Sequence, residues 1–181
     1  YAEKSKKDFE LGLIRNHYVG RTFIEPTQSI RSLGVKLKLN STKTIVKNKS
    51  IILIDDSLVR GTTCHKIVKM LYENGAKEVH VRIACPEIIY PDFYGVDMPT
   101  REELLAYKKD NNEMCKYINA KTLKFLSLKG LYKALINEKR ISSYPQFSDH
   151  YFTGDYPIKP LDKIEGIKIK QLSLLSGKSN N

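Results

Sequence analysis

The sequence contains no run of about 18 apolar residues, the minimum for a membrane-crossing helix. No basic segment leading into an apolar one occurs before residue 30, so a secretion signal has no support either. A cytoplasmic protein with no membrane partner is expected. Cysteine is scarce as well. Cys64, Cys85 and Cys115 are an odd number at wide spacing, which excludes a paired disulfide framework and a Cys-x-x-Cys metal pattern. Buried free thiols are the expectation. The third shortage is negative charge: 20 Asp and Glu stand against 31 Lys and Arg, a formal net charge of +11. Such a balance raises nucleic acid as a partner. The excess is local, however, with eleven Lys and Arg against four Asp and Glu in residues 1 to 50. It contains no zinc-finger spacing, no aromatic RNA-binding signature and no block of five like charges. A lysine-rich composition accounts for most of it, and no nucleic-acid partner is expected. Internal repeats and low-complexity tracts are missing too.

At 181 residues, with 41% hydrophobic and 28% charged residues, the chain has the composition of a globular protein large enough for a proper core. Its most informative stretch runs from Ile51 to Thr63. Ile51, Ile52, Leu53 and Ile54 form an apolar run too short for a helix and suited to a strand buried on both faces of a parallel sheet. Cys64, Ile67, Val68 and Leu71 then recur at the spacing of a helix with one buried face. Between strand and helix lie Asp55, Asp56, Ser57, Val59, Arg60, Gly61, Thr62 and Thr63. In an open parallel sheet this position is the ligand crevice. Small residues opening a helix leave its first N–H groups free to close around a phosphate. Two carboxylates beside such a cradle suit a ribose phosphate, since they can accept from vicinal hydroxyls or help to hold a hard divalent cation. An ordinary helix cap needs one acid; two ask for a ligand.

Residues 51 to 63 resemble the phosphoribosyl-pyrophosphate signature of type I phosphoribosyltransferases, an apolar strand followed by an acid pair and a short Gly/Thr loop. A second stretch narrows the resemblance. Phe9 to Arg15 reads as a short strand, and in Gly12-Leu13-Ile14-Arg15-Asn16-His17-Tyr18-Val19-Gly20-Arg21-Thr22-Phe23-Ile24 the part from Asn16 on, continuing to Pro26, has no clean period of either kind, is punctuated by Gly20 and Pro26, and carries positive charge. It reads as a long loop able to move over an anionic ligand. The same stretch is similar to the catalytic loop of the amidophosphoribosyltransferase family, and the match continues through Ile30-Arg31 and Gly34 to Asn40.

Downstream, Gly75 suits a helix C′ position, and Val79, Val81 and Ile83 alternate with polar residues as a strand. Thr100 and Glu103 have the spacing of a capping box before a helix carrying Leu104 and Leu105. A short helix over Glu113 to Ile118, a strand over Leu123 to Phe125, and a last helix capped by Ser127 with Leu131, Ala134 and Leu135 inward complete the pattern. The fold expected is α/β, a mainly parallel sheet flanked by helices, as a partial domain of the type I phosphoribosyltransferase kind. Residues 1–137 would be the carboxyl-terminal portion of that domain, with the catalytic loop at 12–26 and the ribose-phosphate motif at 51–63. Residues 138–181 read as an irregular, aromatic-rich tail packing against a partner domain. The opening Tyr1-Ala2-Glu3-Lys4 reads as the end of a helix already under way, so the chain is expected to begin in mid-protein.

The resemblance implies the first step of purine synthesis: glutamine-derived ammonia displaces pyrophosphate from 5-phosphoribosyl-1-pyrophosphate, giving 5-phosphoribosylamine. It implies Mg2+ held with Asp55 and Asp56, sugar and phosphate contacts from Ser57 to Thr63, and a homo-oligomer in the full enzyme. It also implies that Tyr18, Arg21, Thr22 and Ile24 belong to a closing loop and ammonia channel, joined by Leu104, for which a core role is the simpler reading. The family's N-terminal glutaminase domain is missing from the chain, so the fragment alone is expected to be inactive. Phe152-Thr153-Gly154-Asp155-Tyr156-Pro157 matches the iron–sulfur subtype, but Asp92, Ser148 and Tyr151 stand where that subtype places thiolates, and no cluster is expected. Two other readings stay open: a nucleobase phosphoribosyltransferase, and a non-enzymatic regulator keeping the ribose-phosphate fold while binding nucleic acid.

Overall fold

A computed structural model describes residues 1–15, 39–41, 43–96 and 100–158. Two sheets are present among them. A small antiparallel one pairs β1 (Leu13–Arg15) with β2 (Leu39–Ser41). The larger is parallel, in the order β3 (Ser50–Asp55), β4 (Glu78–Ile83), β5 (Thr122–Phe125), with Leu53 opposite Val81 and Val81 opposite Leu123. Short helices α1 (Ala2–Ser5) and α2 (Lys43–Val46) precede β3. The connection from β3 to β4 is α3 (Thr62–Glu73); that from β4 to β5 carries a 3-10 turn (Arg101–Glu103), α4 (Leu105–Lys108) and α5 (Asn111–Tyr117). Helices α6 (Leu128–Ile136) and α7 (His150–Thr153) follow. Parallel strands joined through helices are the expected α/β architecture; β1 falls within the strand expected over Phe9 to Arg15, and its antiparallel partner β2 is an addition.

The periods in the sequence explain the core. Cys64, Ile67, Val68 and Leu71 are the buried residues of α3. They pack with Leu53, Val79, Val81, Ile83 and Leu123 from the sheet and with Leu105, Met114 and Ile118 from the β4–β5 connection. Each fully buried aliphatic side chain contributes about 1.5–3 kcal/mol, so this cluster fixes where β3 ends and α3 begins. Gly75 takes the left-handed conformation one residue beyond the α3 cap, φ 91°, which lets the chain turn directly into β4.

Three expectations are corrected. Of the four apolar residues in β3, Leu53 is buried but Ile54 is 47% exposed, because it lies on the other face of the sheet, in register with Arg82 and, beyond it, Lys124. Thr100 makes no side-chain cap: Arg101–Glu103 forms a 3-10 turn, and Leu104 is extended before α4 begins. The reciprocal capping box forms ten residues later, where Asp110 accepts from the Glu113 N–H and Glu113 from the Asp110 N–H. In α6 the buried residue is Tyr132 rather than Leu135, which is 58% exposed. The Tyr132 hydroxyl donates to Asp149 at 2.8 Å and its ring packs edge-on to Phe147, so the segment after Asn137 chooses the face.

That segment is tied to this chain as far as residue 158. Arg140 grips Asp149 through Nε (2.6 Å) and Nη2 (3.1 Å) and also pairs with Asp155. Next to it, buried His150 meets the buried Asp92 carboxylate, Nε2 to Oδ1 at 2.8 Å. Burial opposes the charge on Asp92, but the N–H groups of Val96 and Tyr94, His150 and the Tyr151 hydroxyl outweigh it and bring the carboxyl down to about 2. Asp149 also lies below the usual carboxylate range: burial is overcome by Arg140 and Tyr132. A depressed carboxylate stabilises the fold above its unfolded value of about 3.9, and that stabilisation disappears as pH falls through the folded value. In the intact protein, therefore, the stability gap between wild type and Asp92→Asn should be full near pH 6 and close between pH 4 and 2. Denaturant midpoints measured across that range check this, and a gap that stays constant down to pH 2 would contradict an ionised Asp92.

Candidate functional site

β3 ends at Asp55, whose carbonyl accepts from the Ala84 N–H just beyond β4. The acid pair is thereby fixed at the carboxyl edge of the parallel sheet. The Asp56 N–H donates to Asp55 Oδ1 at 3.0 Å, and the Ser57 hydroxyl donates to Asp56 Oδ1 at 2.7 Å. Burial pushes the Asp55 carboxyl up; the Asp56 N–H offsets part of this, and the Asp56 charge adds to it. Among the described residues no basic side chain offsets the burial of Asp55, which leaves it receptive to hydroxyl donors or a cation.

After Ser57 the loop turns inward at Leu58, 3% exposed, and enters α3 through Gly61. Gly61 is the N-cap residue, with φ 74°, and no side chain caps the helix. The first N–H groups of a twelve-residue helix are thus left without a side-chain acceptor, beside Thr62 and Thr63, whose residues are half-buried. This is a ready anion cradle. Gly61 is there for lack of room as well as for its conformation: a Cβ would lie 2.6 Å from Leu105 Cδ2 and 3.0 Å from Tyr117 Cε1. The loop rests on the β4–β5 connection by three further contacts. The Leu105 N–H donates to the Val59 carbonyl at 2.8 Å, Arg60 Nε meets Glu103 Oε2 at 2.7 Å, and His65 Nδ1 lies 2.9 Å from the Tyr117 carbonyl.

The two nearby thiols are held towards their neutral form. Burial, and secondarily Asp55, push Cys64 up to about 12; burial and Asp56 push Cys85 up to about 11. Both shifts favour the protonated thiol over the nucleophilic thiolate. Among the described residues no group of three or more His, Cys, Asp or Glu gathers as a metal cage. Asp55 and Asp56 supply two carboxylates, the share that Mg2+ commonly takes from protein when phosphates supply the rest. An open cleft of about 290 Å³ lies elsewhere, beyond β4 and β5, lined by Glu87, Phe125, Ser127 and Phe152 among others, and holds neither acid.

The eight residues singled out from Asp55 to Thr63 thus run from the last residue of β3, through the intervening loop, into the first turn of α3. Leu104 is fully buried beside it, and its neighbour Leu105 holds the loop. Tyr18, Arg21, Thr22 and Ile24 lie outside the described residues, as does most of 12–26. Sequence reasoning missed Glu103 as a partner of Arg60, and missed Leu105 and Tyr117 as the floor under Gly61. Glu103 carried only the signal of a helix cap, and nothing local links it to a residue 43 positions away. Of the three positions where the iron–sulfur subtype has thiolates, Asp92 and Tyr151 meet in the His150 network and Ser148 is exposed.

A parallel sheet ending in an acid pair, with a small-residue loop on an uncapped helix, defines the type I phosphoribosyltransferase-like class of α/β fold. Comparison with known proteins makes this more particular. No protein-family model matches the chain. It is 54% identical over 177 residues to an amidophosphoribosyltransferase of Rhizobium etli, covering 97% of this chain and 36% of that protein. It is 47% identical to the chloroplastic amidophosphoribosyltransferase 1 of Arabidopsis thaliana, with 94% of this chain and 29% of that protein covered. The solved B. subtilis glutamine phosphoribosylpyrophosphate amidotransferase, complexed with ADP and GMP, superposes with a TM-score of 0.73 at 47% identity, over 87% of this chain and 34% of that one. The chain belongs to the amidophosphoribosyltransferase family, and it spans about a third of the length of the curated relatives it matches. Among the described residues no helix is long and apolar enough to cross a membrane.

Proposed function

We propose that this chain supplies the phosphoribosyl-binding part of an amidophosphoribosyltransferase, in which ammonia derived from glutamine displaces pyrophosphate from 5-phosphoribosyl-1-pyrophosphate. The observation that carries the reading is the acid pair at the end of β3 beside the uncapped start of α3. The N–H groups of Thr62 and Thr63 and the hydroxyls of Ser57, Thr62 and Thr63 hold the 5-phosphate. Asp55 and Asp56 accept from the ribose hydroxyls and, with the substrate's own oxygens, hold Mg2+. When bound, that ion neutralises charge gathering on the departing pyrophosphate. Breaking the C1–oxygen bond leaves positive charge on the sugar, which two carboxylates beneath it favour.

The family resemblance assigns Tyr18, Arg21, Thr22 and Ile24 to the loop that closes over the sugar and, with Leu104, to the ammonia path. Excluding water there matters because water competes as the nucleophile. A glutaminase domain is the partner that supplies the ammonia. Three unpaired thiols suit a reducing compartment such as the cytoplasm.

The test is pyrophosphate release by the full-length protein given 5-phosphoribosyl-1-pyrophosphate and Mg2+. Release should require ammonia or glutamine and be unaffected by free nucleobases. Release that requires a nucleobase and ignores both nitrogen donors would replace this reading with that of a nucleobase phosphoribosyltransferase.

A further inference from the structure

We infer that Glu103 is a positioning residue that holds Arg60 ready for the anionic sugar substrate; the inference rests on the phosphoribosyl reading of the loop. The backbone on either side of Arg60 is fixed, since the Val59 carbonyl is taken by the Leu105 N–H and Gly61 is pressed against Leu105 and Tyr117. Its side chain is held at one point only, Nε to Glu103 Oε2 at 2.7 Å. The two terminal guanidinium nitrogens have no hydrogen-bond partner among the described residues. One contact at Nε fixes the direction of the planar fork and leaves its two-pronged end open, the end that matches a pair of phosphate oxygens.

The pair is poorly explained by stability. Its side chains are 38% and 51% exposed, and exposed pairs of this kind contribute little to folding. What the contact does is remove the rotamer freedom of a long side chain before the substrate arrives, a loss that binding would otherwise bear. Glu103 also places a negative charge near the anion, which works against binding. The two effects predict opposite signs. If orientation dominates, removing Glu103 weakens binding of the sugar diphosphate; if charge dominates, removal tightens it. A single hydrogen-bonded contact to Nε, with the fork end open, favours orientation.

The test is a double-mutant cycle in the full-length protein: wild type, Glu103→Ala, Arg60→Ala, and both together. Glu103→Ala should raise KM for 5-phosphoribosyl-1-pyrophosphate about 3–10-fold and leave kcat within about twofold, as loss of uniform binding does. Its thermal midpoint should stay near that of wild type. In the Arg60→Ala background the same change should have no further effect on KM, and Glu103→Gln, which keeps an acceptor for Nε, should recover part of the loss. An unchanged or lowered KM in Glu103→Ala overturns the inference, as does an effect that persists without Arg60. Calorimetric affinity for inorganic phosphate in the same proteins separates this outcome from failure of the functional reading. A wild type that turns over no sugar diphosphate, yet binds phosphate more tightly than Glu103→Ala does, overturns the enzyme reading and keeps the positioning role. Equal phosphate affinity in all four proteins overturns the positioning role.

Discussion

Replacing both Asp55 and Asp56 by Asn in the full-length protein should lower phosphoribosylamine formation by at least about 1,000-fold with either ammonia or glutamine as donor, the scale of losing more than one preorganised electrostatic contact. Both acids sit at the end of β3, and no basic group among the described residues offsets the burial of Asp55. The structure sets a second expectation that separates a binding role from a folding role. Asp55 lies above its ordinary value because burial and the Asp56 charge disfavour its ionised form, so at neutral pH ionised Asp55 costs the empty protein stability. Asn at both positions removes that cost while keeping shape. The thermal midpoint of the variant should therefore equal or exceed that of wild type while turnover is lost. Near-normal ammonia-dependent turnover would remove the sugar-site assignment; a collapse in the midpoint would make the pair structural.

Gly61→Ala should produce the second largest effect, on stability and on substrate use together. A left-handed φ of 74° costs a residue with a Cβ about 1–2 kcal/mol, and the new methyl would meet Leu105 Cδ2 at 2.6 Å, crowding that costs about 1–3 kcal/mol. Leu105 is buried and also holds Val59, so it cannot yield without moving the loop. A fall in thermal midpoint of about 4–20 °C and a loss of about 10–100-fold in kcat/KM follow, taking about 2–4 °C per kcal/mol for a cooperative unit of about 150–250 residues. Gly95→Ala is the matched control. Gly95 has φ 113° but open space around its would-be Cβ, so that variant meets the conformational cost without the crowding. Equal effects of the two variants on kcat/KM would show that the floor under Gly61 does not shape the site.

What could be foreseen from the sequence was local. β3, the acid pair and the start of α3 are contiguous, and each stretch carries its own signal: an apolar run, two charges, then small residues. The face of α3 followed directly from its period, since Cys64, Ile67, Val68 and Leu71 all became buried. The failures were decided by residues far apart in the chain. Ile54 is exposed because its face of the sheet is shared with Arg82 and Lys124, which the apolar run of β3 does not encode. Leu135 had as good a claim to the inner face of α6 as Tyr132 until Asp149 and Phe147 supplied partners for the tyrosine. Glu103 satisfied the spacing of a capping box, but the extended backbone at Leu104 interrupts the helix, and the carboxylate turned to Arg60 instead. The support of the loop between β3 and α3 is therefore built from the part of the chain that local signals describe least.

Amide hydrogen exchange of the full-length protein, with and without 5-phosphoribosyl-1-pyrophosphate and Mg2+, tests the central claim most directly, because it reads contact with the loop and not turnover. Substrate should slow exchange at Asp56 to Cys64, above all at Thr62, Thr63 and Cys64, whose N–H groups open an uncapped helix. Substrate-dependent protection that falls elsewhere and leaves Asp56 to Cys64 exchanging as in the free protein would contradict the account.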